Sequence, residues 1–371
     1  MRNVIGMLLI PLLGLTTKTQ ESRNDNSDSK RLLIQTKTDT KKGAGVTLKS
    51  AYKDYFPVGT AMFYHYLKNE ELKKFVVSQY SSITCPDIKA RTIYPREGIF
   101  DFSQTDSLVN FAYKNNLKIR GHCPIFYSTM PDWFFKENGK KVSKSLLLKR
   151  IDTLITTAMK RYKGKIYCWD IVNESIYGGN TMHRSNDRLY EILGEQYIEA
   201  AFRIAKKADP KTKLFYNDHF VTQEKRDKIF ELLKRLKQKG VPIDGLGIQG
   251  HYGLNSFTEK SLKADLAKFK SIGLEIQFTE VDIAMFDRTS EKKYELGKQR
   301  IYSEDIIDKQ AKQYEILFRV CREEPAVTGI TLWGGADWPN FLSKRLKTSA
   351  YPYLFTEKMT PKKAFYSIIN F

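Results

Sequence analysis

IYCWDIV (166–172), EQYIEAAFRIAKKAD (195–209) and KLFYND (213–218) follow one another along the chain. Short runs rich in β-branched and aromatic residues flank a longer segment whose apolar residues recur every three to four positions. That is the signature of strand, helix, strand in a parallel sheet, because two parallel strands need a crossover between them. The same alternation extends in both directions. Further short runs are FPVGTAM (56–62), SSITC (81–85), KIRGHCPIF (118–126), DGLGIQGHY (244–252), EIQFTEVD (275–282) and GITLWG (329–334). Helix-like stretches separate them, among them LKKFVVSQ (72–79), DSLVNFAYKNN (106–116), LKRIDTLITTAMKRYKG (148–164) and LKADLAKFKSIG (262–273). Eight units of this kind suit either an open doubly wound sheet or a closed barrel. No glycine-rich dinucleotide loop or P-loop follows the first run, and the count of eight matches a (β/α)8 TIM barrel, the fold expected here as a single α/β domain.

Composition agrees with one large core. The chain has 371 residues, of which 41% are hydrophobic and 13% aromatic, which excludes disordered and fibrous classes. Residues 46–371 are expected to form the barrel. Before them, VIGMLLIPLLGL (4–15) follows Met1-Arg2 and is too short to span a membrane, so residues 1–17 read as a signal peptide for export to the periplasm or exterior. A buried first helix is the competing reading. The polar stretch to residue 45, poor in apolar residues, reads as a linker, and no stable membrane anchor is expected.

The four cysteines (Cys85, Cys123, Cys168, Cys321) are too few for a disulfide framework and read as buried thiols, with at most one or two bridges. No CxxC or histidine-rich spacing points to a metal, and no cofactor is called for. The formal charge of +20 accompanies no nucleic-acid motif. Its lysines and arginines are scattered through amphipathic stretches such as EKRDKIFELLKRLKQKG (224–240), so solvated helix faces are the plain reading and attraction to an acidic polysaccharide the secondary one.

In a barrel enzyme the active site lies at the C-terminal ends of the strands, so polar residues that close an apolar run are candidates for chemistry. Lys89 follows the second run, His122 lies in the third, and Asn173-Glu174 close the fourth. Asn217-Asp218 close the fifth, Gln249 and His251 lie in the sixth, Glu280 and Asp282 in the seventh, and Trp333 in the eighth. Any one could be a satisfied buried group. Together they include two carboxyl groups, Glu174 and Glu280, on different strands, the minimum that glycosidic cleavage requires.

WDIVNES (169–175) followed by QFTEVDI (277–283) resembles the paired signatures of glycoside hydrolase family 10, best known for endo-1,4-β-xylanases. The likeness extends over IYPREGIFDF (93–102), RGHCPIFYSTMPDWF (120–134), KLFYND (213–218), IDGLGIQGHY (243–252), TLWGGAD (331–337) and TPKKAF (360–365). The resemblance implies a retaining hydrolase acting on a β-1,4-linked polysaccharide or oligosaccharide, with xylan as the leading substrate and carboxyl groups about 5–5.5 Å apart. By that resemblance Glu174 is the acid/base and Glu280 the nucleophile. Asn173 would bind the 2-hydroxyl of the cleaved sugar. His251, oriented by Asp282, would hold Glu280 ionised, while Gln249 and Trp169 would shape the surroundings of Glu174. Lys89, His122, Trp333 and Tyr216 would contact sugar.

The chain also departs from that pattern. Where the family has ENxMK after the second strand, this sequence reads Cys85-Pro86-Asp87-Ile88-Lys89, and its WHSQ becomes Phe126-Tyr127-Ser128-Thr129. Phe341 stands for an aromatic after Trp333, with Trp338 as an alternative, and Cys321 lacks its usual partner near Ala326 or Val327. The same chemistry on a decorated xylan, another β-glycan or a small β-glycoside is therefore a second reading. A non-catalytic glycan-binding barrel is a third.

Overall fold

A computed structural model describes residues 45–179, 182–288, 301–338, 342–343 and 349–371. The proposed signal peptide, nearly all of the linker, and Phe341 lie outside these residues. Lys41–Phe371 forms one compact unit.

The eight short runs become eight parallel strands: β1 Val58–Ala61, β2 Ser82–Cys85, β3 Lys118–Phe126, β4 Cys168–Asn173, β5 Lys213–Asp218, β6 Gly245–Ile248, β7 Glu275–Ile283 and β8 Val327–Leu332. Each pairs with the next, and β8 returns to β1, with Val58 opposite Ile330, so the sheet has no free edge. Burial on both faces explains why the strands read as nearly unbroken apolar runs rather than alternating ones. One run is interrupted. DGLGIQGHY holds strand geometry only to Ile248. Gly250 then takes φ +75°, a conformation open to glycine, and His251–Tyr252 resumes pairing beside Asp282–Ile283.

Helices α1 Glu70–Gln79, α2 Ser103–Lys114, α3 Lys144–Arg161, α4 Gln196–Ala208, α5 Gln223–Gln238, α6 Glu259–Lys270, α7 Glu304–Glu323 and α8 Lys363–Ile369 follow the strands in turn. Their starts are chemically marked. Asn69, Ser143, Thr222 and Thr258 each accept a hydrogen bond from the backbone N–H three residues on, each cap contributing about 1 kcal/mol. In α4 the buried side chains Tyr197, Ile198, Ala201, Phe202, Ala205 and Ala208 form one stripe, the face laid on the sheet.

Most helical lysines and arginines face solvent, as expected, but Lys225 of α5 is fully buried and its ammonium lies 2.6 Å from Asp218 Oδ1. All four cysteines are buried and free. No described helix is long and apolar enough to cross a membrane.

Candidate active site

The barrel interior beneath the C-terminal rim is polar and closed. Arg120 of β3 forks onto Asp170 of β4 at 3.1 and 2.7 Å and donates through Nε to Gln277 of β7 at 2.7 Å. Arg120 and Asp170 are both essentially inaccessible to water. Burial alone would push the Asp170 carboxyl up, but the Arg120 charge and the His122 hydrogen bond hold it below its ordinary value. This pair sets the next layer. Asp170 Oδ2 is 3.0 Å from Nδ1 of His122, which turns Nε2 of that ring toward Glu280 Oε1 at 3.9 Å.

Glu280, 4% exposed, is reached from three sides. His251 donates from Nε2 to Oε2 at 3.2 Å, and its Nδ1 donates to Asp282 at 2.7 Å. Arg288 braces the other oxygen of Asp282 at 2.6 Å. Asn217 donates to Glu280 Oε1 at 2.8 Å. Burial raises the Glu280 pKa, but the His251 hydrogen bond, the charges of His122 and His251 and the Asn217 amide outweigh it and hold the carboxyl below its ordinary value. The histidines respond in the opposite sense. Burial works against charge on His251, yet Asp282 and Glu280 raise it to about 9. Burial likewise opposes charge on His122, but Cys123, Asp170 and Glu280 raise it to about 10.

Glu174 sits one residue past β4 with φ +55°, a left-handed conformation that costs a non-glycine residue roughly 1–3 kcal/mol. Its N–H donates to the Asn217 carbonyl at 2.9 Å, which ties that turn to β5. Gln249 donates to Oε1 at 3.0 Å and Asn173 to the same oxygen at 3.4 Å. Asn173 Oδ1 accepts in turn from Asn217 at 2.8 Å. The two carboxyl groups are thus linked through Asn173, Asn217 and Gln249. One is held as an anion by a closed set of donors. The other keeps Oε2 free of short hydrogen bonds among the described residues, open to a group that needs a proton.

Trp333, 9% exposed, lies edge-on to His122 at 5.4 Å and to His251 at 6.4 Å and walls the Glu280 side of the site. Lys89 is half-buried directly beyond β2, where it starts a helical turn at Ala90–Ile93 and faces Asp87. Two expected positions lie elsewhere. Cys168 and Asp170 point into the barrel, so Trp169 between them points out. Its ring packs over Gly121 and near Tyr162 of the helix layer, which makes it a support of β4 rather than a neighbour of Glu174. Tyr216 is fully buried, with its hydroxyl on Asp218 at 2.7 Å and Ser175 at 2.8 Å, so it braces strand ends and offers no sugar-binding surface.

Several site residues carried no role in the sequence reading. Arg120, Asp170 and Gln277 were signalled only by being polar in the middle of apolar strands. Asn217 was visible as a strand-end residue, and Thr279, which donates to Asn217 Oδ1 at 2.6 Å, lay one place before Glu280. Arg184 and His219, at 3.7 and 3.9 Å from Glu174 Oε2, come from loops after β4 and β5.

Residues 47–371 match the family model described as glycosyl hydrolase family 10. The chain belongs to that family. It is accordingly a glycosidase on a (β/α)8 barrel. It is 38% identical to a β-1,4-xylanase of Dictyoglomus thermophilum over 88% of this chain and 91% of the relative. It is 35% identical to endo-1,4-β-xylanase A of Caldicellulosiruptor saccharolyticus, over 88% of this chain and 96% of that one. Other relatives are longer: the chain spans 47% of endo-1,4-β-xylanase A from a Caldicellulosiruptor species. Among solved structures, xylanase XynB of Paenibacillus barcinonensis superposes with a TM-score of 0.82 at 30% identity, covering 87% of this chain and 98% of that one.

Proposed function

We propose that this family 10 glycosidase is an exported endo-1,4-β-xylanase that cleaves by double displacement. Glu280 is the nucleophile and Glu174 the general acid/base. The observation that carries this reading is the unequal environment of the two carboxyl groups. Glu280 has His251, Asn217 and His122 arranged around its anion, whereas Glu174 has one oxygen anchored by Gln249 and Asn173 and the other open. A carboxylate kept ionised suits attack on an anomeric carbon, and an anchored carboxyl with an open oxygen suits proton delivery to the departing one.

In the first step Glu280 attacks as Glu174 gives its proton to the glycosidic oxygen. The covalent ester removes the negative charge at Glu280, and Glu174, now a carboxylate, takes a proton from the water that hydrolyses the ester. In this reading Asn173 binds the 2-hydroxyl, and Trp333, His122 and Lys89 contact the sugar whose bond is broken. Xylan is favoured as substrate by the names of the relatives.

The test is hydrolysis by the purified full-length protein of xylans, other β-glucans, mannans and aryl β-glycosides, beside a Glu280→Gln variant. Release of xylo-oligosaccharides by the wild type alone supports the reading. Cleavage of mannan or β-glucan in preference to every xylan overturns the substrate, and full activity in the variant overturns the nucleophile. Sequencing the amino terminus of the protein recovered outside the producing cell tests export.

A further inference from the structure

The open side of Glu174 is chemically distinctive. Arg184 and His219 both face Oε2, at 3.7 and 3.9 Å. Burial pushes His219 below its ordinary value, so it is neutral near pH 7. The buried Lys225 nearby is committed to Asp218 at 2.6 Å. Arg184 is therefore the standing positive charge beside the acid/base.

Its guanidinium is held in place but not satisfied. It lies 5.1 Å over the Tyr127 ring and 5.7 Å from that of Tyr177, a geometry in which two aromatic faces fix a cation by their quadrupoles. The ion pair with Glu174, at 3.7 Å, is too long for a hydrogen bond. Arg184 Nε is buried without a hydrogen-bond partner among the described residues. The side chain is nevertheless 19% exposed, so a ligand can reach it. A preoriented guanidinium with spare donors is a receptor for a planar anion.

Position and charge identify the anion. If Glu174 protonates the departing oxygen, a reading on which this inference rests, the space beside its open oxygen belongs to the sugar on the leaving side. We propose that Arg184 binds a carboxylate carried by that sugar, and that the enzyme favours β-1,4-xylans bearing uronic acid groups. The net charge of +20 adds long-range attraction for such a polyanionic chain.

The test uses two ligands that differ in one group: xylo-oligosaccharides substituted with glucuronic acid, and the same oligosaccharides with each carboxylate reduced to an alcohol. Binding is measured by calorimetry on the full-length Glu280→Gln protein, with and without Arg184→Gln or Arg184→Lys. The acidic ligand is expected to bind about tenfold more tightly than the reduced one, the advantage vanishing in Arg184→Gln and partly surviving in Arg184→Lys. Turnover of both ligands by proteins with Glu280 intact should show the same ratio in kcat/KM. Equal binding of the two ligands, or a ratio untouched by Arg184→Gln, overturns the proposal. Binding needs no chemistry, so a selective Arg184 in a protein that cleaves no xylan would sink the acid/base reading and leave the receptor standing.

Discussion

Asn217 and Glu280 are joined by a 2.8 Å hydrogen bond, and the same Asn217 amide nitrogen lies 2.8 Å from Asn173 Oδ1. One side chain of β5 thus ties the strand end that carries Asn173 and Glu174 to the strand that carries Glu280. Thr279 holds the amide from behind. Replacing Asn217 with Ala is expected to lower kcat on xylan about 10²-fold with a smaller change in KM, the size seen when one preorganised donor is removed. Steady-state kinetics check this, and a change confined to KM would contradict it.

Gly247 of β6 lends an independent handle on the same contact. A Cβ there would lie 2.2 Å from Asn217 Oδ1, closer than any two such atoms can stand. Gly247→Ala is therefore expected to displace the Asn217 side chain and reproduce most of the kinetic loss of Asn217→Ala. If Gly247→Ala keeps wild-type kcat, Asn217 does not position the pair.

Glu174→Ala separates proton donation from the rest of the site. On xylan the loss is expected to be roughly 10²–10⁴-fold, since the leaving oxygen must depart unprotonated. On an aryl xyloside whose phenol leaves without help, the first step should be nearly unaffected and the second slow, giving a burst of phenol. Added azide, a nucleophile that needs no base, should restore the steady rate. The absence of both burst and rescue would argue against the acid/base assignment.

The His251 network predicts two pH effects of opposite sign. Glu280 is held below the ordinary glutamate value of 4.5, so the acidic limb of kcat/KM should fall below that pH and move upward in His251→Asn. His251 is raised from 6.5 to about 9, so the stability it draws from Asp282 and Glu280 is fully present below about 6.5 and is lost as pH rises through about 9. The Tm difference between wild type and His251→Asn should accordingly shrink between those values. A difference that grows with pH would refute it.

Arg120 tests the buried pair beneath the site. Arg120→Met leaves Asp170 ionised in a dry interior with only His122 to compensate, a change expected to cost about 3–5 kcal/mol in unfolding free energy. Pairing it with Asp170→Asn should recover part of the loss. Denaturant unfolding of the two variants checks both statements. A single variant as stable as the wild type would show that the pair is not needed for stability.

Local sequence determined the eight-fold alternation, because a strand buried on both faces must be apolar along its length and a crossover helix must be amphipathic. It also marked Glu174, Glu280, Asn173, Gln249, His251 and Asp282, since a polar residue closing such a strand has the barrel rim as its place. Tertiary structure decided which way each side chain faces. Trp169 and Tyr216 sit inside the most recognisable motifs, yet their neighbours along the strand point inward and they point out. Tertiary structure alone also brings Arg184 from a loop against Tyr127, Tyr177 and Glu174. Chain order says nothing of such an approach, because it depends on how the loop after β4 folds back on itself and against the segment after β3 rather than on the period of either.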